Sequence, residues 1–274
     1  MDRRIAAFEH DLLFSGRLPA WLRPWWYGRK GYRRLKSELI AYIEAMLAEK
    51  RLQPPAVEDL ISIMVRHHPP DEPPLTHDEI VTDTALLFLA GSNTTSSVVL
   101  WSLLFTYSRP DWLAQLREEL SGWDPDNFTG MTAFPKLRAT VLEAERLRPA
   151  LPFAGRLARR DFAFGDFEFP AGSFFLHATA VPHFLDENYE RPLEFLPERF
   201  LPDRNPPPKV HGTFGGGTHV CLGQPLARVQ EPLMLANFLR HFDLEFAAPP
   251  SLQPRLGAVV TPALAAIPVR LVRK

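Results

Sequence analysis

"FGGGTHVCLG", residues 214–223, holds the only cysteine of the 274-residue chain, and Gly215, Gly216 and Gly217 run up to it. A sole cysteine excludes an internal disulfide, so the fold does not depend on an oxidising compartment. It leaves three roles open: buried hydrophobe, nucleophile or metal ligand. The surroundings of Cys221 favour the ligand. A helix, "QPLARVQEPLMLANFLRHF", follows at once, with Pro225 in its first turn, where proline is tolerated. Free amides and the positive end of the helix dipole favour a negative sulfur there. Gly217 and Gly223 can take backbone angles that other residues resist, so amides can turn toward the sulfur. They also keep side chains away from where a flat ligand would lie. Phe214 offers a ring face to such a ligand, and His219 a hydrogen bond to an acidic group on its edge.

A zinc site does not fit, because there is no second cysteine and the histidines show no ligand spacing. A cysteine hydrolase needs a paired histidine, and the sequence designates none. The loop fits a planar iron macrocycle held by one thiolate, a ligand that donates electron density to iron and favours O–O cleavage.

The rest of the chain bounds the class. Lysine and arginine number 31 against 32 acidic residues, so no net charge recommends nucleic acid or an anionic membrane as partner. With 46% hydrophobic residues the chain can bury a sizeable core. The 28 prolines cluster in 54–74 and 202–208 and read as loops between elements. "MDRRIAAFEHDLLF" lacks the pattern of a signal peptide. The apolar run from Ala85 to Ala90 reads as too short to cross a bilayer. "WLRPWWYGRK", with Trp21, Trp25, Trp26 and Tyr27 among basic residues, reads as aromatics packed on a neighbouring helix or as a membrane-surface patch.

Helical periodicity opens the chain at Leu35, Leu39, Ile43, Met46 and Leu47. Thr76 and Glu79 have the spacing of a capping box, which starts a long helix running to about Tyr107. Within it "GSNTT" is either a face toward solvent or the wall of a hydroxyl-lined cavity. "FPKLRATVLEAERLRP" is another helix, ending near Pro149. "FAGRLARRDFAFGDFEFPAGSFFLHA" alternates, with a turn at Gly165-Asp166, as a small antiparallel sheet does. Proline-rich "DENYERPLEFLPERFLPDRNPPPKV" reads as irregular, and short strands near Leu244–Phe246 and Val269–Val272 close the chain. The fold class is mainly α with a minor antiparallel β component. Pro232, inside the helix after Cys221, is expected to kink it at a cost of about 3 kcal/mol.

"FGGGTHVCLG" resembles the haem-binding signature of the cytochromes P450, Phe-x-x-Gly-x-x-x-Cys-x-Gly, at every fixed position. "EAER" supplies Glu143 and Arg146 at the family's Glu-x-x-Arg spacing, and "PERF" supplies Arg199. The resemblance implies that these three form a buried charged network of structural role. "AGSNTT" looks like the family's oxygen-binding groove: Ala90 and Gly91 would leave space and Thr94 would manage protons. Asn93 departs from the acidic residue usual there, and an amide cannot relay protons as a carboxylate can. Arg156 matches the arginine that pairs with a haem propionate. Leu86, Leu87, Ala90, Leu151 and Phe153 would line a substrate wall.

The resemblance thus implies haem b held by Cys221, with Phe214, Gly217, His219, Gly223 and Arg156 around it. It implies oxygen insertion into a small apolar substrate, with electrons from a ferredoxin or a flavoprotein reductase. Asn93 keeps a non-oxygenase haem-thiolate enzyme as an alternative. The family domain is considerably longer at its N-terminus. The expectation is therefore one partial domain, 1–274, the C-terminal two thirds of the fold, with a complementary N-terminal chain as a candidate partner and a non-catalytic remnant as a further alternative. No nucleic acid or membrane partner is expected, and the expected location is cytoplasmic.

Overall fold

The computed structural model describes residues 22–52, 58–66, 71, 73–124, 133–203, 212–249, 252–256, 259–262 and 269–274. Trp21, the N-terminal "MDRRIAAFEHDLLF" and much of both proline clusters lie outside them. The chain divides into two compact units, Met1–Asn93 and Thr94–Lys274.

In the first unit, a short helix α1 (Arg23–Gly28) precedes α2 (Lys30–Leu52) and α3 (Leu60–Arg66). The helical stripe read from the sequence points inward: Leu39, Ile43 and Leu47 pack with Tyr32 and with Ile80 at the start of α4 (His77–Tyr107). Of the N-terminal aromatics, Trp26 lies under the Arg29 guanidinium and Tyr27 packs against Tyr32, while Trp25 is exposed.

Helix α4 starts where the capping box places it. The Thr76 amide and hydroxyl donate to Glu79 Oε2 at 2.8 and 2.7 Å, and the Glu79 amide donates back to Thr76 Oγ1 at 3.3 Å. Two orphan donors are satisfied, which fixes the first turn. The helix then runs unbroken through "GSNTT". This corrects the reading of Ala85–Ala90 as a short apolar segment: by length and composition α4 would suffice to cross a membrane. Polar side chains do not end a helix when they can serve its surroundings. Ser97 Oγ, for example, donates to the Val260 carbonyl and Ser102 Oγ to Val98.

The second unit is built on the C-terminal part of α4. Val98, Val99 and Leu103 pack with Leu113 and Leu116 of α5 (Pro110–Glu119) and with Leu137 and Val141 of α6 (Pro135–Leu147). Leu235, Ala236 and Leu239 of α7 (Gln224–His241) complete this cluster. Burying each such leucine contributes roughly 1.5–3 kcal/mol. Trp101, Leu104 and Phe105 form a second cluster with Trp112 and Phe195. Helix α6 starts at Pro135 because Glu119, at the end of α5, accepts the amides of Lys136 and Leu137 at 2.8 and 2.9 Å. Burial raises the pKa of the Glu119 carboxyl above its ordinary value.

Among the described residues the β component is four antiparallel pairs. Strand β1 (Ala154–Leu157) pairs with β4 (Phe174–His177), and β2 (Phe162–Phe164) with β3 (Phe167–Phe169) around Gly165, whose φ of 59° is left-handed. Strand β5 (Phe242–Phe246) pairs with β8 (Val269–Arg273). A pair absent from the sequence reading joins β6 (Pro254–Leu256) to β7 (Val260–Pro262). Among its described residues the irregular proline-rich segment carries a 3-10 turn, Pro197–Phe200. Helix α7 continues through Pro232 as one 18-residue element, so the proline does not end it.

Candidate functional site

Cys221 sits where sequence and helix physics put it, at the entrance to α7. Its amide donates to the Phe214 carbonyl at 2.9 Å, which closes residues 214–221 into a loop. The Gln224 amide donates to the Cys221 carbonyl at 3.3 Å and that of Ala227 to Gly223 at 2.9 Å, so the helix begins immediately. The thiol is exposed, as are residues 215–220 and Gly223. Gly215 and Gly217 have φ of 70° and 64°, a region that L side chains resist.

Gly223 departs from one of its two expected roles, the unusual backbone angle, and agrees with the other, the bare position. Its φ of −78° is ordinary, so no left-handed turn requires glycine there. A Cβ at that position would lie 3.7 Å from Cys221 Sγ, and its bareness keeps the sulfur's flank clear. Nothing stands within 4 Å of a Cβ built on Gly216 or Gly217. The result is an exposed thiol at a helix N-terminus, with bare backbone beside it. Val220, Leu222 and Leu226 are exposed apolar neighbours in sequence. This donor set and its clearance fit a flat apolar group carrying a thiolate-ligated iron.

His219 is exposed at the end of the 3-10 turn Gly217–His219. Arg156 is exposed on β1, its Nη1 donating only 2.8 Å back to Gly155. Both side chains are open to solvent. Leu151 and Phe153 are about half exposed, at 51% and 46%. In the first unit, Leu86, Ala90 and Gly91 are exposed on α4, and Leu87 and Asn93 are half-buried. Thr94, half-buried, opens the second unit.

The structure brings Glu143, Arg146 and Arg199 together. Arg146 Nε and Nη2 donate to the two Glu143 oxygens at 2.7 and 2.8 Å, a bidentate pair with both side chains fully buried. Arg199 Nε donates to Glu143 Oε1 at 3.1 Å, and the Leu196 amide to the same oxygen at 2.9 Å. The remaining donors of Arg146 go to the carbonyl of His183, in the 3-10 turn Val181–Phe184, at 2.7 Å, and to those of Pro192 and Glu194 in the irregular segment at 2.7 and 3.2 Å. Tyr189 lies beneath both guanidiniums, 4.8 and 5.7 Å from its ring centroid. Two cations and one backbone amide thus hold one buried carboxylate, and the network ties α6 to a segment with little regular structure of its own.

Two participants escaped the sequence reading. His183 is fully buried; its Nε2 accepts the Gly212 amide at 3.1 Å, so its Nδ1 donates to the Arg146 carbonyl at 3.0 Å. Near the thiol, Glu145 and Glu231 are buried around Arg228, whose guanidinium also lies over the Phe214 ring. A groove of about 1110 Å³ opens beside Arg148, Glu190 and Arg199, and Cys221 does not line it.

The sequence model of the family described as Cytochrome P450 matches residues 7–268. The chain belongs to the cytochrome P450 family. Cytochromes P450 are haem-dependent monooxygenases. Steroid 21-hydroxylase of Canis lupus is 36% identical over 179 residues, which cover 62% of this chain and 36% of that protein. A bifunctional cytochrome P450/NADPH–P450 reductase, ALT2, of Alternaria alternata is 30% identical over 85% of this chain and 22% of its own length. Among solved structures, retinoic acid-bound cyanobacterial CYP120A1 superposes with a TM-score of 0.84 at 26% identity, over all of this chain and 64% of that one. The P450 CYP102L1 superposes at 0.82 and 22% identity, likewise over 64% of its length, and shows the fold. The P450 chain described here therefore spans less than two thirds of each of these relatives.

Proposed function

We propose that this P450 chain carries the thiolate-ligated haem of a monooxygenase that inserts one atom of dioxygen into a small apolar molecule. The observation that carries the reading is the exposed Cys221 thiol at the start of α7, its loop closed onto Phe214 and bare at Gly215, Gly216 and Gly217. Cys221 would hold the iron; His219 and Arg156 would meet the propionates. Haem b, when bound, supplies the electron transfer and the activation of oxygen. The chain's own residues orient and exclude. Gly223 leaves the sulfur's flank clear, and Leu151 and Phe153 present apolar surface to substrate. Thr94 would hold a proton-donating water through its hydroxyl. The buried Glu143–Arg146–Arg199 network holds its segment rigid and takes no part in proton transfer.

Electrons would come from a ferredoxin or a flavoprotein reductase, and the reductase fused to the Alternaria relative supports the second. Relatives named for a steroid and for bound retinoic acid support a polycyclic or isoprenoid substrate. A cytoplasmic location accompanies this reading. Asn93 favours a second reading, a haem-thiolate enzyme that does not activate oxygen, because an amide next to Thr94 offers no proton relay.

The test is spectroscopic. Haem-loaded, reduced protein exposed to carbon monoxide should show the long-wavelength Soret band of thiolate ligation, and Cys221→Ala should abolish it. A folded, haem-bound chain without that band would overturn the reading. Oxygen consumption with an added reductase separates the monooxygenase from the alternative.

A further inference from the structure

Behind the thiol loop the charges do not balance. Glu145 on α6 and Glu231 on α7 are 0% and 2% exposed. Among the described residues, the Arg228 guanidinium stands with them. Arg228 Nη1 donates to both oxygens of Glu145, at 2.8 and 2.7 Å, and that ion pair is complete without Glu231. Three residues apart on α7, Arg228 and Glu231 share a face. Two carboxyls buried together beside one guanidinium favour a proton on one of them, because like charges out of water cannot both stay ionised cheaply. Its Oε2 is buried without a hydrogen-bond partner among the described residues. An ionised carboxylate so deprived of donors and water is costly, whereas a neutral acid is not.

We propose that Glu231 is a neutral carboxylic acid that donates its proton to Glu145 and serves as a positioning residue for the Cys221 loop. The proton keeps a second negative charge from the back of the sulfur. The main charged groups acting on Glu231 are Glu145 from α6, Arg228 from its own helix and Cys221 from the loop. Burial first, then Glu145, raise its pKa far above the usual carboxylate range, Cys221 adds to the rise, and Arg228 opposes it. Arg228 also lies 4.6 Å from the Phe214 ring centroid, so the same cluster grips the residue that closes the loop. Loss of the proton would lower the reduction potential of an iron bound at Cys221. That link to the iron rests on the haem-thiolate reading; the proton itself does not.

Infrared spectroscopy of the haem-free chain tests the proton directly. At about pH 8 the wild type should show the carbonyl stretch of a protonated carboxylic acid, shifted in heavy water and missing in Glu231→Gln. The variant is isosteric with the neutral acid, so it should fold. A second readout is melting temperature. The wild type must retain a proton that its unfolded chain releases above about pH 4.3, so the advantage of Glu231→Gln should widen as pH rises. Absence of the band, or an advantage that does not vary with pH, overturns the neutral acid. In haem-loaded protein the wild-type potential should fall at alkaline pH while that of Glu231→Gln stays level. Parallel profiles overturn the coupling to the sulfur. A chain that takes up no haem counts against the proposed function, and the band still decides the proton.

Discussion

At the scale of single residues, the most consequential side chain is a buried carboxylate. Glu143 is fully buried and accepts from Arg146, Arg199 and the Leu196 amide. Removing one partner of such a pair strands a charge, which typically costs about 3–5 kcal/mol. Arg146→Ala should therefore destabilise the protein by about that amount in a urea titration. Arg146→Lys should rescue little, because an ammonium cannot form the bidentate pair and also reach His183, Pro192 and Glu194. The family resemblance, carried by Glu143, Arg146 and the later Arg199, made this network legible; the spacing alone would equally suit an exposed ion pair on one helix face. His183 was not legible. Nothing near "AVPHF" marks that histidine, and its role arises only when the chain returns to Gly212 and Arg146. Gly223 was legible in part: the sequence marks it both as a bare position and as a special backbone angle, and the structure gives it the bare flank beside the sulfur with an ordinary φ.

At the scale of elements, local rules worked where the cause was local. The Thr76–Glu79 box starts α4, Gly165 makes the β2–β3 turn, and Pro135 sits at the start of α6. They failed where partners lie far apart in sequence. The β6–β7 pair has few strand-forming residues, and β7 is held by Ser97 and Trp101 of α4 donating to the Val260 carbonyl. The Glu145–Arg228 pair spans 83 positions, and only the packing of α6 against α7 creates it. One such long-range clasp is open to test. Tyr107, at the end of α4, donates to Asp243 Oδ1 at 2.6 Å and accepts the Leu244 amide at 3.1 Å, which ties α4 to β5. Tyr107→Phe should cost about 1–3 kcal/mol by leaving those groups unpaired. Burial, then Asp243, push the Tyr107 hydroxyl up to about 12. Its proton is kept on folding while the unfolded chain loses it near pH 10, so this stability is present below about pH 10 and lost toward pH 12. In alkaline melting experiments the gap between wild type and Tyr107→Phe should close over that window.

At the scale of the whole molecule, the thiol loop carries a surface that calls for cover. Val220 is 49% exposed, Leu226 57% and Leu222 88%, and Leu151 and Phe153 are half exposed. Haem that covers such surface binds the folded state alone and should raise the melting temperature in proportion to the logarithm of its concentration. Added haemin should do so for the wild type and much less for Cys221→Ala, read by differential scanning fluorimetry. Binding of an apolar dye should fall in parallel with loading.

Pro232 adds a last consequence. It offers no amide to the Arg228 carbonyl, so α7 is joined across that point by one hydrogen bond fewer than its length suggests. Beyond it, Leu235, Ala236 and Leu239 are clamped in the core, whereas the turns on the cysteine side rest mainly on Ala227, Arg228 and Glu231. Unzipping from the open end can therefore halt at the proline with the remaining turns intact. Warming would release the prosthetic group first and the fold only later.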